Sequence, residues 1–215
     1  MENKKSNMFK NTLILVVITL AAVAALAVVN QITKEPIAQA EINQKTEAYK
    51  AVYADAVGFD EIDGLDNMIE NSTTLFDNNG LSGCTVSDAL AVKDANGNVE
   101  GYVISSTSPN GYGGEIQVAI GIKSGKLTGL TVISNSETPG LGSKCTESDF
   151  QNQFKNKSAE LLSYTKSGAS SDTEIDAISG ATVTTSAVTE AVNAAIVFYQ
   201  SNFGNDTSNA DVQSN

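Results

Sequence analysis

Residues Glu115–Ser134, EIQVAIGIKSGKLTGLTVIS, give the strongest indication of the fold class of this chain. In its first half apolar residues alternate with small or polar ones, which is the period-2 pattern of a β-strand. The apolar face consists of Ile116, Val118, Ile120 and Ile122. Ser124 and Gly125 interrupt the pattern, and Leu127–Ser134 resumes it. Two apolar runs joined by so short a turn predict an antiparallel hairpin.

A second hairpin is predicted ahead of the first. Ala89–Lys93 and Val99–Ser106 are short apolar runs, and the turn sequence DANGN, Asp94–Asn98, lies between them. Such spacing is typical of paired strands. Four strands joined by tight turns indicate an antiparallel sheet.

Helices are predicted after the sheet. Thr185–Gln200 has the spacing of an amphipathic helix. Its apolar face consists of Val188, Val192, Ala195, Ile196 and Tyr199. Shorter helices are expected over Glu147–Asn156 and Ser158–Tyr164. Strands followed by helices predict an α+β domain, which we place at residues 84–200. The polar residues 201–215 predict a disordered tail.

An apolar stretch precedes the predicted domain. Thr12–Val29 contains no charged residue, and as a helix it would be about 27 Å long, close to the ~30 Å hydrocarbon core of a bilayer. We therefore predict a transmembrane helix at residues 12–29 that follows a cytoplasmic tail at residues 1–11. The tail is lysine-rich, whereas Lys34 and Glu35 cancel each other after the helix, so the positive-inside rule predicts that the rest of the chain lies outside the cytoplasm.

A cleaved signal peptide is the alternative interpretation of this stretch. Ala38–Ala40 resembles a small-residue cleavage site, but the apolar run exceeds the usual ~7–15 residues. Residues 30–83 are predicted to form a linker. Within it, Pro36–Ala54 has the composition of a helix, whereas 55–83 are rich in Asp, Asn and Gly and predict loops and short elements.

The composition excludes several classes of functional site. The 215 residues include 13 lysines and 25 acidic residues, no arginine, no histidine and no tryptophan, with a net charge of −12. Without histidine there is no Ser-His-Asp unit and no imidazole metal site, and two cysteines cannot make a four-thiolate site. The negative charge argues against nucleic-acid binding. We therefore predict no catalytic side-chain group and no metal site, so a bound group would have to supply any chemistry.

The segment Asp176–Ser186, DAISGATVTTS, runs into the last predicted helix. The free amides and the dipole at a helix N-terminus favour an anion such as a phosphate. Gly180 suits a positive φ there. The candidates for the N-cap are Thr182, Thr184, Thr185 and Ser186. A Ser/Thr-rich N-cap without any ligand is the alternative interpretation.

The sequence Ser179–Thr184, SGATVT, resembles the flavinylation motif of FMN-binding domains. In that family a flavin transferase moves FMN from FAD onto the last Thr or Ser of the motif, through a phosphoester bond. The resemblance implies that Thr184 carries the FMN and that Asp176 is the acidic position ahead of the motif. The implied phosphate cradle consists of Ser179, Gly180, Ala181 and Thr182.

Two further segments are similar to sequences of the same family. Glu137–Gly142, ETPGLG, resembles a motif that lies against the isoalloxazine ring. The implied ring contacts are Glu137, Thr138, Leu141 and Gly142. Gly111–Ile116, GYGGEI, is similar to a glycine loop in the G subunit of the Rnf complex, and its Tyr112 is a candidate neighbour of the flavin. Lys144, just beyond the ring motif, is a further candidate.

The order of these motifs behind one membrane helix resembles the Rnf G subunit. That complex couples electron transfer between ferredoxin and NAD to Na⁺ or H⁺ movement. The resemblance implies a single-pass flavoprotein of the cell (inner) membrane, with its FMN domain on the extracytoplasmic side. It would be an electron carrier rather than a catalyst alone. The implied partners are the other membrane subunits and a flavin transferase that uses FAD.

Three alternatives remain open at this point. The C subunit of the Na⁺-translocating NADH:quinone oxidoreductase has the same attachment motif, and free-standing extracellular FMN-binding domains are a second possibility. The third is a membrane-tethered binding or scaffold domain without a cofactor.

The two cysteines also allow two interpretations. Cys84 and Cys145 would both lie outside the cytoplasm, where disulfides persist. Either a bridge between them or two free, partly buried thiols is compatible with the sequence.

Overall fold

A computed structural model describes residues 2–204, apart from the side chains of some residues in the first helix. This helix, α1, extends over Glu2–Val52 without interruption, with Pro36 inside it. Its segment Lys10–Lys34 is long and apolar enough to span a bilayer. The predicted transmembrane and linker helices are therefore parts of one element.

Five antiparallel strands form the main sheet. Their bounds are β1 Gly58–Glu61, β2 Thr85–Lys93, β3 Val99–Ser108, β4 Ile116–Lys123 and β5 Lys126–Ser134. Their order in the sheet is the order in the sequence. The two predicted hairpins are confirmed, and β1 is an additional edge strand that pairs with β2.

The alternating residues of β4 are buried as the sequence predicts. Ile116, Val118, Ile120 and Ile122 all lie in the larger core cluster, together with the apolar residues of the C-terminal helix. Ala119, between them, belongs to a smaller cluster on the opposite, outer face of the sheet. Both faces are thus covered, and the domain is α+β.

The last turns of α1 cover this outer face. Val52 and Tyr53 pack in the outer cluster, and Thr128 donates a hydrogen bond of 2.5 Å to the carbonyl of Val52. Tyr49 donates to Asp88 at 2.8 Å. The compact unit that contains the sheet begins at Lys45, so residues 45–83 belong to it and are not the linker that the sequence predicts.

A second helix, α2, spans Leu65–Asn78 within the segment for which we expected loops and short elements. Phe76 is buried in the main core, and Leu65, Met68 and Ile69 pack against it. These residues recur with helical spacing, which the many Asp and Asn residues of the segment obscured. The prediction for this segment therefore missed α2, although the four-residue β1 is a short element of the expected kind.

The connection after β5 differs from the prediction. The helix expected over Glu147–Asn156 is only the four-residue α3, Ser148–Gln151, with short 3₁₀ turns on either side. The helix expected over Ser158–Tyr164 is wrong, because this segment leads into β6, Ser163–Thr165, which pairs in parallel with β7, Glu174–Asp176.

The side chain of Asn193 explains why this segment is extended. Its amide oxygen accepts from the Leu162 amide at 2.8 Å, and its amide nitrogen donates to the Leu162 carbonyl at 2.9 Å. The backbone of Leu162 is thereby paired without a helix. A contact between residues 31 positions apart cannot be inferred from local periodicity.

The C-terminal helix, α4, spans Thr182–Asn202. All five residues of its predicted apolar face are buried. The helix begins three residues earlier than predicted, and its N-cap is Ala181, so none of the four hydroxyl residues is the cap. Asn202 is still helical and Phe203 is buried, so residues 201–203 are not part of a disordered tail as the sequence predicted. Residues 205–215 lie outside the described part.

Candidate functional site

Three separate segments of the chain meet at the first turn of α4 and enclose a pocket of about 530 Å³. They are the glycine loop before β4, the loop after β5, and the turn that leads into α4. The lining residues are Tyr112, Glu137, Thr138, Leu141, Gly142, Gly180, Ala181, Thr182, Val183 and Thr184. The fold therefore brings together residues that three separate motifs identify.

Thr184 is the third residue of α4 and is only 1% exposed. Its Oγ1 donates a hydrogen bond of 2.6 Å to Oε2 of Glu137. The first-turn amides around it lack intrahelical acceptors, and the helix dipole adds a positive partial charge there. A hydroxyl is thus placed where an anionic phosphate would be stabilised.

The turn before α4 is held by its own hydrogen bonds. Gly180 has φ 77°, as its position before the helix led us to expect, and the amide of Ala181 donates to the carbonyl of Ile178 at 3.0 Å. Thr185 accepts from the Ile178 amide at 3.0 Å and donates to the carbonyl of Ala181 at 2.9 Å. Thr185 therefore fixes the turn from inside the helix. The sequence did not indicate this role, because Thr185 was considered only as a possible N-cap.

Glu137 links the glycine loop to α4. It is 7% exposed, and its Oε1 accepts from the amide of Gly113 at 3.1 Å while its Oε2 accepts from Thr184. A Cβ at Gly113 would overlap the carbonyl of Ser136, and one at Gly111 would lie 2.7 Å from Oε1 of Glu137. These glycines are therefore required by the close approach of the two loops.

The loop after β5 is closed by hydrogen bonds of its own. The amides of Leu141 and Ser143 both donate to the carbonyl of Thr138 at 3.2 Å, and Oγ of Ser143 accepts from the amide of Gly140 at 2.9 Å. These bonds close the loop just before and within the 3₁₀ turn Gly142–Thr146.

Three large apolar side chains of the pocket are exposed. Tyr112 is 75% exposed, Leu141 48% and Val183 49%. Large apolar side chains that remain exposed within one concave site mark a binding surface. An apolar rim next to a helix N-terminus fits a ligand that combines a planar aromatic ring with a phosphate, which is the composition of FMN.

Some of the predicted site residues lie outside this pocket. Ser179 lines an adjoining cavity of about 340 Å³, together with Gly180, Thr182 and Lys166. The carboxylate of Asp176 is exposed and accepts from the amide of Ala169 at 2.7 Å. Lys144 is not among the lining residues of the pocket.

Both cysteines are free and buried. Burial raises the pKa of the Cys145 thiol to about 11, and the nearby carboxylate of Glu137 adds to this effect. Burial likewise raises the pKa of Cys84 to about 11. Both thiols are therefore protonated at neutral pH, and the interpretation with free thiols describes this structure. Within residues that the structure describes, no group of three or more Cys, Asp or Glu is arranged to hold a metal ion.

Comparison with known proteins agrees with this geometry. The sequence profile of the FMN-binding domain matches residues 111–197, and that of the RnfG N-terminal region matches residues 1–52. The G subunit of the Na⁺-translocating ferredoxin:NAD⁺ oxidoreductase complex of Acetobacterium woodii is 35% identical, over 89% of this chain and 91% of its own. The chain belongs to the family of Rnf G subunits.

The FMN-binding match contains every residue that lines the pocket. Another member of the family, the G subunit of the ion-translocating oxidoreductase complex of Methanosarcina acetivorans, is 32% identical over 88% of this chain and 93% of its own. Among solved structures, NqrC of Shewanella oneidensis aligns with a TM-score of 0.48 at 18% identity, over 74% of each chain.

Proposed function

We propose that this chain is a membrane-anchored electron carrier whose FMN is attached to Thr184 through a phosphoester bond. The carrier would act within an ion-translocating ferredoxin:NAD⁺ oxidoreductase complex of the Rnf type, as the name of its Acetobacterium relative states for that protein. The observation that supports the attachment best is the Thr184 hydroxyl at the floor of the pocket, on the first turn of α4.

The pocket residues support this proposal in three ways. The first-turn amides of α4 would bind the phosphate, since a helix N-terminus stabilises an anion. Tyr112, Leu141 and Val183 would bind the apolar ring and keep water from it. Thr138, on the loop after β5, would donate or accept a hydrogen bond at the ring edge. FMN supplies the redox chemistry when it is bound, and the chain binds and orients it.

A covalent bond would serve a carrier that works outside the cell. A cofactor held only by noncovalent contacts would be lost by dilution, whereas a tethered one has a high effective concentration at its site. The Thr184 hydroxyl needs an acceptor for its proton and a donor of FMN. A flavin transferase that uses FAD would provide the donor.

The anchor would be Lys10–Lys34 of α1, which is long and apolar enough to cross the bilayer. The lysines before it would remain in the cytoplasm, and the acidic FMN domain would lie on the extracytoplasmic side. There it would contact the other membrane subunits of the complex and exchange electrons with them.

The proposal is tested by expressing the full chain together with a flavin transferase. On a denaturing gel the wild-type band should fluoresce, and its mass should include one FMN. Thr184→Val should lose both signals, while Thr184→Ser should keep them because it retains the hydroxyl. Ser186→Ala is the matched control, since that hydroxyl lies on the same helix but bonds to Glu190 and does not line the pocket.

Flavin fluorescence and added mass that persist in denatured Thr184→Val would refute the attachment site. A wild-type protein without any added mass after coexpression would instead favour a domain that binds no covalent cofactor.

A further inference from the structure

Thr184 and Glu137 form a buried pair of a hydroxyl and a carboxylate. They are 47 positions apart in sequence, and Oγ1 of Thr184 lies 2.6 Å from Oε2 of Glu137. Both residues are at least nine-tenths buried, and both line the pocket. A hydrogen bond of this length is within the range in which a proton can pass from a hydroxyl to a base.

The other contacts of Glu137 are hydrogen bonds rather than ion pairs. Oε1 accepts from the Gly113 amide, and among the described residues the ion pairs are Lys93–Asp60 and Lys123–Glu100, so no ammonium group neutralises this carboxylate. The Cys145 thiol lies near it, and its raised pKa keeps it uncharged. The positive end of the α4 dipole is the compensating charge.

We propose that Glu137 accepts the proton of Thr184 Oγ1 when the flavin is attached. This inference rests on the proposed attachment at Thr184. In the transfer, the bond between the FMN phosphorus and the bridging oxygen of FAD breaks, and AMP leaves with that oxygen. A bond between phosphorus and Oγ1 forms, the proton of Oγ1 passes to Oε2 of Glu137, and nothing is oxidised or reduced.

The geometry explains why the chain that receives the FMN would itself supply the base. A threonine hydroxyl is a weak nucleophile without an adjacent base, and Thr184 is almost completely buried. Glu137 already holds this hydroxyl in a fixed direction, and the Gly113 amide in turn fixes Glu137. Gly142 leaves the space that the pair needs, because a Cβ there would touch both side chains.

The test measures the rate of FMN incorporation into the purified full-length apoprotein in mild detergent, with FAD and purified flavin transferase. Gel fluorescence and mass report the incorporation, so no electron-transfer activity is needed. Glu137→Gln should lower kcat by about 10²–10⁴-fold. The KM for the apoprotein should change less than about 3-fold, because recognition of the motif is retained.

Glu190→Gln is the matched control. Glu190 is on α4, as Thr184 is, and like Glu137 it accepts hydrogen bonds from hydroxyls, at 3.0 Å from Ser108 and 3.2 Å from Ser186, but it does not line the pocket. This variant should incorporate FMN at the wild-type rate. Incorporation at the wild-type rate by Glu137→Gln would overturn the inference.

A second pair of variants separates charge from shape. The side chains introduced by Glu137→Asp and Glu137→Asn have the same length, but only the first has a carboxylate. This comparison therefore tests the carboxylate even if Glu137→Gln perturbs the fold. Asp should be faster than Asn by at least about 10-fold, and equal rates would overturn the inference. Thr184→Val distinguishes the two proposals. If this variant still incorporates FMN, the attachment site itself is wrong. If Thr184→Val incorporates none while Glu137→Gln incorporates FMN at the wild-type rate, only the role of Glu137 is refuted.

Discussion

Gly142 lies so close to Thr184 that no side chain fits between them. A Cβ built on Gly142 would be 2.6 Å from Oγ1 of Thr184 and would also overlap Oε2 of Glu137. Real Cβ atoms do not approach other atoms this closely. The loop after β5 and the first turn of α4 are therefore complementary at this point, and the glycine is a steric requirement of the pocket.

Gly142→Ala should block FMN incorporation. The added methyl group must displace Thr184 or Glu137, and a shift of about 1 Å at a reacting group costs on the order of 100-fold in rate. We also expect a loss of about 1–3 kcal/mol in the free energy of unfolding from overpacking. Gel fluorescence after coexpression with a flavin transferase and thermal unfolding measure the two effects.

Gly140→Ala is the control for this prediction. Its φ is 75°, but a Cβ there would meet nothing within 4 Å. Only backbone strain of about 1 kcal/mol is expected, with FMN incorporation retained. Equal incorporation by both variants would show that the contact between Gly142 and Thr184 is not critical.

Gly121→Ala should weaken the packing of α1 on the outer face of the sheet. A Cβ at Gly121 would lie 2.9 Å from the carbonyl of Val52 and would overlap Oγ1 of Thr128, which donates to that carbonyl. We expect a loss of about 1–3 kcal/mol in stability and faster tryptic cleavage after Lys50. Gly58→Ala is the control, because its Cβ would meet nothing within 4 Å, and it should be cleaved at the wild-type rate.

The sequence was most informative where apolar spacing decides the structure. The alternation in β4 and the apolar face of α4 predicted both elements, because burial requires that spacing. The pocket residues were identified by motif resemblance, and their meeting in one place follows from the fold.

Long-range contacts decide the features that the sequence did not reveal. Asn193 holds Leu162 in an extended segment, Thr185 fixes the turn at Ile178, and the last turns of α1 pack on the outer face of the sheet. None of these contacts has a local sequence signature. The pairing of Glu137 with Thr184 is of the same kind, since each residue belongs to a motif but neither motif indicates the contact.

The buried thiols should make stability depend on pH in the alkaline range. The pKa of Cys145 is raised to about 11 in the fold and is about 8.5 in an unfolded chain. Between these values the folded state binds more protons than the unfolded state, so the free energy of unfolding falls as pH rises from about 8.5 to 11. Below about pH 8 this thiol contributes no pH dependence.

Cys145→Ala should flatten this decline. Urea unfolding of the full chain in mild detergent and reductant, followed by tyrosine circular dichroism, measures it at about pH 7.5 and about pH 10.5. Between the two, wild type should lose about 2–3 kcal/mol more than the variant. Equal losses of stability in the two proteins would mean that burial does not raise the pKa of Cys145.

The end of α4 gives the last prediction, which concerns the packing of Phe203. Phe203 is buried, its ring stacks on Tyr102 at 4.2 Å between centroids, and it forms an edge-to-face pair with Phe198. Truncation after Gly204 keeps this ring and is therefore the reference variant for thermal unfolding. Truncation after Gln200 should cost about 2–4 kcal/mol, because it removes a buried aromatic side chain and exposes the rings it covered.

Phe203→Ala in the full-length chain isolates this side chain from the other residues removed. The variant lacks the ring but keeps the backbone amide that donates to the carbonyl of Tyr199. It should therefore reproduce most of the loss of stability seen on truncation after Gln200. If truncation after Gln200 were as stable as truncation after Gly204, the stack on Tyr102 would contribute nothing to the fold. A polar tail that begins at Ser201, as the composition alone suggests, predicts that result, whereas the packing of Phe203 predicts the opposite one.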